Sequence, residues 1–132
     1  MTKKKMFIAA LAVSWLLIGC DNGNGPAPTP PSEPLELLYP AGGESFKVDS
    51  TIVIRWRIND STKVIGVVIN LSMNNGMTFD TLINKGGQVS PPQTSFSWTT
   101  ASGHVSTQCV IRIRDYTDYS VNDKSGTFTV HN

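Results

Sequence analysis

Cysteine and histidine are scarce in this chain, with two of each among 132 residues. A zinc ion takes three or four ligands that are mostly Cys and His, so this scarcity argues against a zinc centre. Cys109 stands among apolar neighbours without an adjacent base, which favours a buried structural thiol over a nucleophile. We predict no metal, no cofactor and no catalytic residue, and hence a protein that is not an enzyme. The number of Asp and Glu residues does not exclude a pair of catalytic carboxylates like that of a glycosidase. One small domain is, however, not expected to hold a deep cleft.

Long apolar runs are also few, and the run over residues 6–18 is too short to cross a bilayer permanently. It follows a basic start at Lys3, Lys4 and Lys5 and ends at the small residue before Cys20. This order is typical of an export signal. We predict a signal peptide over residues 1–19. A plain secretory signal with an incidental cysteine and an uncleaved anchor are the alternatives.

The stretch Leu17-Ile18-Gly19-Cys20 resembles the lipobox of bacterial lipoproteins. The resemblance implies that Cys20 becomes the first mature residue and carries lipid, with acyl chains such as palmitate. Each buried CH₂ contributes about 0.8 kcal/mol and one chain binds only marginally, so the two or three chains of a lipoprotein make the attachment effectively permanent. We expect a location in the cell membrane or outer membrane, with the domain facing the periplasm or exterior. Asp21 resembles an enterobacterial inner-membrane retention signal that other bacteria do not follow, so the choice of membrane stays open.

An excess of charge of one sign is missing as well. The formal net charge is +1, and cleavage before Cys20 leaves 8 basic against 10 acidic residues. This balance provides no electrostatic footprint for nucleic acid or for a polybasic membrane surface, so we expect no nucleic-acid partner. With Cys20 acylated, Cys109 has no partner for an intramolecular disulfide, and stability must come from an apolar core.

Residues 20–34 contain five prolines and two Asn-Gly pairs but no large apolar side chain. Such a segment cannot bury enough surface to offset the entropy lost on ordering. We predict a linker that holds the domain off the membrane. The alternative is an ordered arm on the domain.

From residue 35 onward, short alternating segments are separated by turn residues, and no window has a sustained 3.6-residue period. Ile52, Ile54 and Trp56 fall on one face of their segment, and Cys109 and Ile111 on one face of another. We predict an all-β domain over residues 35–132, an Ig-like β-sandwich of seven to eight strands. The clearest predicted strands cover residues 51–58, 64–71, 77–83, 95–98, 108–114 and 125–131.

Three groups of residues carry a family resemblance: an opening at residues 39–44 and 51–56, a middle at 96–98 and 109–115, and an ending at 125–130. They resemble the Ig-like domain of bacterial surface proteins that begins "P-x-G-G-E" and soon carries "I-x-W". The same domain is similar to the N-terminal Ig-like module of fungal Ser/Thr-rich, GPI-anchored cell-wall proteins linked to β-1,6-glucan synthesis. The resemblance implies a β-sandwich on a cell surface. It implies no catalytic mechanism.

Ser72, Asn74, Gly76, Thr78 and Phe79 also resemble the Asp-box of sialidases, with Asn in place of Asp. In those proteins the box stabilises a hairpin away from the active site. A propeller needs repeated blades, and the chain has one copy of the motif. We therefore interpret it as turn chemistry in which the Asn74 side chain bonds nearby backbone N–H groups.

Tyr116, Asp118 and Tyr119 lie in a polar loop between the two predicted strands nearest the C-terminus, and they form the candidate ligand or partner site. Loops at one end of a sandwich commonly carry binding, and tyrosines contact sugars or fill protein pockets. A solvated loop is the alternative. Trp56 and Trp98 are predicted to pack in the core rather than serve as sugar platforms.

Two clusters of charged residues are interpreted structurally. The oxygen donors Asp115, Asp118, Asn122 and Asp123 lack EF-hand spacing, and we expect Asp115 to cap the loop rather than bind calcium. The four arginines lie on two strands that occupy opposite sheets in an Ig-like sandwich, so one anion site is disfavoured. Cross-strand pairing with acidic residues is expected instead. These arginines are Arg55, Arg57, Arg112 and Arg114.

The favoured function is a lipoprotein that attaches to the membrane through Cys20 and displays a non-catalytic domain for protein interaction or adhesion. Exposed strand edges would allow a partner to add a strand. The alternative is a carbohydrate-binding module that contacts a cell-surface glycan through the loop that contains Tyr116 and Tyr119.

Overall fold

The computed structural model describes residues 32–85 and 87–132, which form nine β-strands and one short 3₁₀ turn. Residues 1–31, with the predicted signal peptide, Cys20 and most of the linker, lie outside this part. No helix in the described part is long and apolar enough to span a membrane. The strands are β1 (Leu35–Tyr39), β2 (Ser45–Lys47), β3 (Thr51–Ile58), β4 (Val67–Ser72), β5 (Thr81–Leu82), β6 (Ser95–Thr99), β7 (Ser106–Asp115), β8 (Asn122–Lys124) and β9 (Phe128–His131).

The strands form two sheets, one of order β1-β3-β6 and one of order β2-β9-β7-β4-β5 with β8 also paired to β7. All strand pairs are antiparallel except β2 with β9. Residues of both sheets contribute to one hydrophobic core. The predicted all-β class is confirmed, and the arrangement is that of a β-sandwich. The described strands number nine rather than the predicted seven or eight. Three of them, β2, β5 and β8, have only two or three residues, which is too short for an alternating pattern to be recognised in the sequence.

The alternation of β3 positions the smaller sheet on the core. Ile52, Ile54 and Trp56 are buried, while the residues between them are exposed. Trp98 of β6 lies opposite Ile52 and is also buried. Burying a large apolar side chain contributes about 1.5–3 kcal/mol, so this stripe is a main source of stability. The predicted core positions of both tryptophans are confirmed.

The predicted strand over residues 64–71 is wrong at its start. Ile65 is 57% exposed, and the strand begins at Val67 rather than at Val64. The Ile65 N–H donates to Asp115 Oδ1 at 2.6 Å instead of joining a strand ladder. A buried carboxylate therefore takes the N–H of Ile65, and the strand starts three residues later than the apolar pattern suggests.

The predicted returning strand over residues 77–83 shrinks to β5, and Met77 is 82% exposed. The residues after β4 close into a loop through their own side chains. Asn74 Oδ1 accepts from the Thr78 N–H at 3.0 Å, and Ser72 Oγ accepts from the Gly76 N–H at 2.8 Å. The predicted turn chemistry of Asn74 is confirmed, and it leaves only two residues to pair with β4.

The central strand β7 carries the predicted inward face, with Cys109, Ile111 and Ile113 fully buried. One edge of β7 pairs with β4, and the other pairs with β9 and then with β8. The sequence analysis did not predict β8. Its presence means that the tyrosine loop connects β7 to β8 rather than to the final strand.

Candidate functional site

The tyrosine loop, residues 116–121, is held by the carboxylate of Asp115 at the end of β7. This side chain is fully buried. Its Oδ2 accepts from the Thr117 N–H at 2.8 Å, the Thr117 hydroxyl at 2.7 Å and the Asp118 N–H at 3.0 Å. Its Oδ1 accepts from the N–H groups of Ile65 and Gly66 at 2.6 and 3.2 Å. Asp115 therefore joins the β7–β8 loop to the segment before β4, which confirms its predicted capping role.

The charge of Asp115 is maintained by its donors. Burial opposes ionisation, but the bonds from the Thr117 hydroxyl and from the N–H groups of Thr117, Asp118 and Ile65 outweigh burial. They hold the pKa of Asp115 well below its ordinary value. The base of the loop is thus an ionised carboxylate whose hydrogen bonds bind two chain segments together.

The three candidate residues are displayed on this base. Tyr116 and Tyr119 are 55% and 66% exposed. The Tyr116 N–H donates to Gly66 O at 2.7 Å, and the Arg114 guanidinium carbon lies 3.7 Å from the centre of the Tyr119 ring. Asp118 Oδ1 accepts from the Ser120 N–H and hydroxyl at 3.0 and 2.6 Å, and these bonds lower the pKa of Asp118. Asp118 therefore stabilises the loop while both tyrosines stay accessible.

The loop lies at the same end of the domain as residues 33 and 34. Pro34 O accepts hydrogen bonds from the N–H groups of Asn59 and Asp60. Glu33 and Pro34 line an open cleft of about 480 Å³ together with Lys63 and Asp118. The candidate residues therefore share one pole of the sandwich with Glu33 and Pro34.

The possible calcium donors are directed to different partners. Asp115 and Asp118 bond the loop, as described above, and Asp123 Oδ2 accepts from the Leu37 N–H of β1 at 2.7 Å. Asn122 donates through Nδ2 to the carbonyls of Tyr119 and Ser120. The geometry gives each donor a role in joining strands and closing the loop.

Cys109 lies in the core with its Sγ 3.6 Å from the carbonyl oxygens of His104 and Ser106. Burial raises the pKa of the Cys109 thiol, which disfavours the nucleophilic thiolate. The His104 ring packs 5.2 Å from the Trp98 ring and accepts the Ala101 N–H through Nδ1. Cys109 is a buried thiol, as predicted.

The four arginines divide between the sheets as expected, but among the described residues the predicted acidic partner is present at only one of them. Arg57 pairs with Glu36 of β1 at 2.9 Å. Arg55, Arg112 and Arg114 instead stack on the rings of Tyr39, Phe79 and Tyr119, at 4.8, 4.2 and 3.7 Å. The prediction of acidic pairing is wrong for these three, because an aromatic ring rather than a carboxylate lies beside each guanidinium.

Two residues beside Arg112 were not given a functional role from the sequence. One is Lys124, which lies opposite Arg112 because β8 pairs with β7. The other is Phe79, which covers Arg112. Lys124 belongs to no motif, and although Phe79 ends the Asp-box resemblance, that resemblance does not predict its contact with Arg112.

Searches of family models, curated proteins and solved structures with this chain find no match.

Proposed function

We propose that the chain is an exported bacterial lipoprotein whose Ig-like domain makes protein contacts at a cell surface or in the envelope. Residues 1–19 direct export, Cys20 carries the lipid, and the proline-rich residues 20–34 separate the lipid from the domain. The order of basic residues, short apolar run and lipobox supports the first two assignments. The proposed protein is non-catalytic.

The connectivity supports the Ig-like assignment. Strands β1, β3 and β6 occupy the places of Ig strands A, B and E in one sheet. In the other sheet, β9, β7, β4 and β5 follow the order G, F, C and C′, and β2 lies parallel to the last strand at the edge.

The opening and ending motifs of the resemblance contact each other. The Gly126 N–H donates to Ala41 O, and the Gly43 N–H donates to Thr127 O, both at 2.7 Å. Glu44 accepts the N–H groups of Ala41 and Gly42 through its two carboxylate oxygens, each at 2.8 Å. A Cβ on Gly42 would lie 2.8 Å from Gly126 Cα. The Gly-Gly-Glu sequence therefore clamps residues 41–44 onto residues 126–127, which lie just before β9.

The observation that carries the proposed protein contact is the outer edge of β6, which pairs with no strand among residues 32–85 and 87–132. This strand ends the smaller sheet, and its sequence Ser-Phe-Ser-Trp-Thr has no charge and no proline. The bond from Trp56 N–H to Thr94 O places Thr94, Phe96 and Trp98 in the hydrogen-bonded pairs with β3. The N–H and C=O groups of Ser97 and Thr99 therefore point away from β3, where an added strand would bond them.

The other edges are less suited to strand addition. On the far side of the same sheet, the Leu37 N–H of β1 is already bonded to Asp123. In the larger sheet, the edge strands β2 and β5 have three and two residues. Natural proteins usually block open edges with charge, proline or short strands, and β6 has none of these protections.

A crosslinking experiment tests this contact in the full chain. We expect a photo-crosslinking residue at position 99 to capture a discrete partner in the producing bacterium. Ser97→Pro should reduce the product about tenfold or more, because proline removes an outward N–H without breaking the ladder to β3. Ser97→Ala keeps that N–H and should leave the yield unchanged. Equal capture from exposed Thr107 on the other sheet, or survival of the product in Ser97→Pro, would contradict the proposal.

A second candidate function, glycan binding, is favoured by one observation. Tyr116 and Tyr119 are the exposed aromatic residues of a loop whose base is fixed by Asp115. A ring on a braced loop provides contact area at low entropic cost. This candidate is independent of the β6 edge.

A further inference from the structure

The outward face of the larger sheet gathers three cationic side chains. Arg112 of β7 lies opposite Lys124 of β8 on one side and Asn70 of β4 on the other, and Arg114 follows two residues along β7. Directly opposite residues of an antiparallel pair project to the same side, about 5 Å apart, and residues i and i+2 share a face about 7 Å apart. Arg112, Arg114 and Lys124 therefore form one cluster, which we call the basic face.

The two guanidinium groups are held flat by rings and have few hydrogen bonds to protein. Phe79 covers Arg112 and Tyr119 contacts Arg114, as described above. Arg112 donates to Asn70 Oδ1 at 3.4 Å and Arg114 to Asp115 O at 3.3 Å, both long bonds. Within the described residues, the buried Nε of Arg112 has no hydrogen-bond partner. Stacking orients these groups, and most of the five N–H donors of each guanidinium make no hydrogen bond to the described residues.

The charge of the basic face is not neutralised from within. Asp115 and Asp123, the carboxylates of β7 and β8, bond backbone N–H groups in loops and in β1 rather than the arginines. Over residues 32–85 and 87–132 the one ion pair joins Arg57 to Glu36, on the opposite sheet. Burial and the charge of Arg114 both lower the pKa of Arg112, as expected for adjacent like charges. A bound anion would relieve this repulsion.

We propose that the basic face binds an acidic polysaccharide, with Arg112, Arg114 and Lys124 engaging its carboxylate or sulfate groups and Tyr119 packing against a sugar ring. A guanidinium matches a carboxylate or sulfate through paired N–H donors, and its fixed plane reduces the entropy lost on binding. This inference deepens the second candidate function and does not depend on the β6 edge or on the lipid at Cys20.

The composition of the face favours a glycan over a protein or a lipid surface. Protein hot spots also use Arg and Tyr, but the centre of a protein interface is depleted of charged residues overall, and its hot spots lie in desolvated, well-packed pockets. Here the centre is charged, and Asn70 and Asn122 flank it with amides. The face also follows the length of the strands, on the flank of the sandwich rather than at the pole that holds Glu33 and Pro34. A lipid surface at that pole would meet the loop before it met Lys124.

The test uses the full chain in a neutral detergent and titrates it with polygalacturonate, dextran sulfate and fully methyl-esterified polygalacturonate. We expect both acidic polymers to bind, the esterified polymer not to bind, and added salt to weaken binding. Arg112→Gln with Arg114→Gln should weaken binding about 100-fold, or about tenfold for each lost charge-assisted contact. Arg55→Gln with Arg57→Gln removes the same charge from the opposite sheet and should change affinity by less than about threefold. Circular dichroism verifies that both variants are folded.

Each remaining outcome overturns the inference in a distinct way. Equal losses in the two double variants would show an effect of net charge alone. Equal binding of acidic and esterified polymers would support glycan binding but remove the role of the basic face. Tighter binding of polyglutamate or of phosphatidylglycerol vesicles would assign the face to an acidic protein or a lipid. Absence of binding to both acidic polymers would refute the proposal while leaving the β6 contact untouched.

Discussion

Asp115→Ala is expected to destabilise the domain by about 3 kcal/mol or more, since hydrogen bonds to a charged acceptor contribute about 1.5–3 kcal/mol each and are partly offset by desolvation. The substitution removes the acceptor of five hydrogen bonds from Ile65, Gly66, Thr117 and Asp118. It also separates the tyrosine loop from the segment before β4. Chemical denaturation of the wild type and the variant measures the difference in unfolding free energy.

The stabilisation by Asp115 should depend on pH in a defined direction. The folded pKa lies below the unfolded value, which is about 3.9 for an aspartate. The contribution is therefore fully present above about pH 4 and is lost as the pH falls through the folded pKa. The unfolding free energies of the wild type and Asp115→Asn should differ most at neutral pH and converge in acid.

Asp118→Ala is the matched control for Asp115. It removes the same group three residues away, where the carboxylate is exposed and bonds only Ser120. A much smaller loss of stability is expected, with little change in its pH dependence. If both variants lost similar stability, the loop would not depend on a buried carboxylate.

Gly42→Ala should destabilise the domain by about 3 kcal/mol, because two costs add at this position. Gly42 has φ +131°, a conformation that L-residues rarely adopt. A Cβ would also meet Gly126 Cα at 2.8 Å, and the backbone offers no flexible end that could move aside. The substitution forces the opening turn away from the start of β9.

Two other glycines distinguish the cost of backbone strain from the cost of a steric clash with an added Cβ. Gly43 has φ +87° with nothing within 4 Å of an added Cβ, so Gly43→Ala should cost about 1 kcal/mol from conformation alone. Gly103 has open space without a positive φ, and Gly103→Ala should be nearly neutral. Equal effects of the Gly42 and Gly43 substitutions would contradict the proposed clamp between the two ends of the domain.

The alternating strands were predictable because a strand that is buried on one face has an apolar residue at every second position. Ile52, Ile54 and Trp56 illustrate this, and Cys109 and Ile111 repeat it on β7. The pattern failed where a side chain outcompeted a strand ladder for the backbone. The carboxylate of Asp115 takes the N–H of Ile65, and the loop after β4 bonds itself through Asn74 and Ser72. The bond of Ile65 depends on a contact distant in sequence, between residues 65 and 115, whereas the bonds of Asn74 and Ser72 span only four residues.

The loop that carries Tyr116, Asp118 and Tyr119 was located from composition, and its brace at Asp115 was anticipated. Its binding role stays a prediction. The basic face was not foreseen, because it requires the register of β8 against β7 and the position of Phe79 over Arg112. The separation of the arginine pairs followed from strand order, but their aromatic partners did not, since ring stacking leaves no periodic signal in a sequence.

Mass spectrometry of the mature N-terminus from the membrane fraction tests the central claim most directly. We expect the first residue to be Cys20, carrying the mass of a diacylglyceryl group, with or without a further acyl chain. An intact Met1, or a mature terminus at Cys20 without lipid, would contradict it.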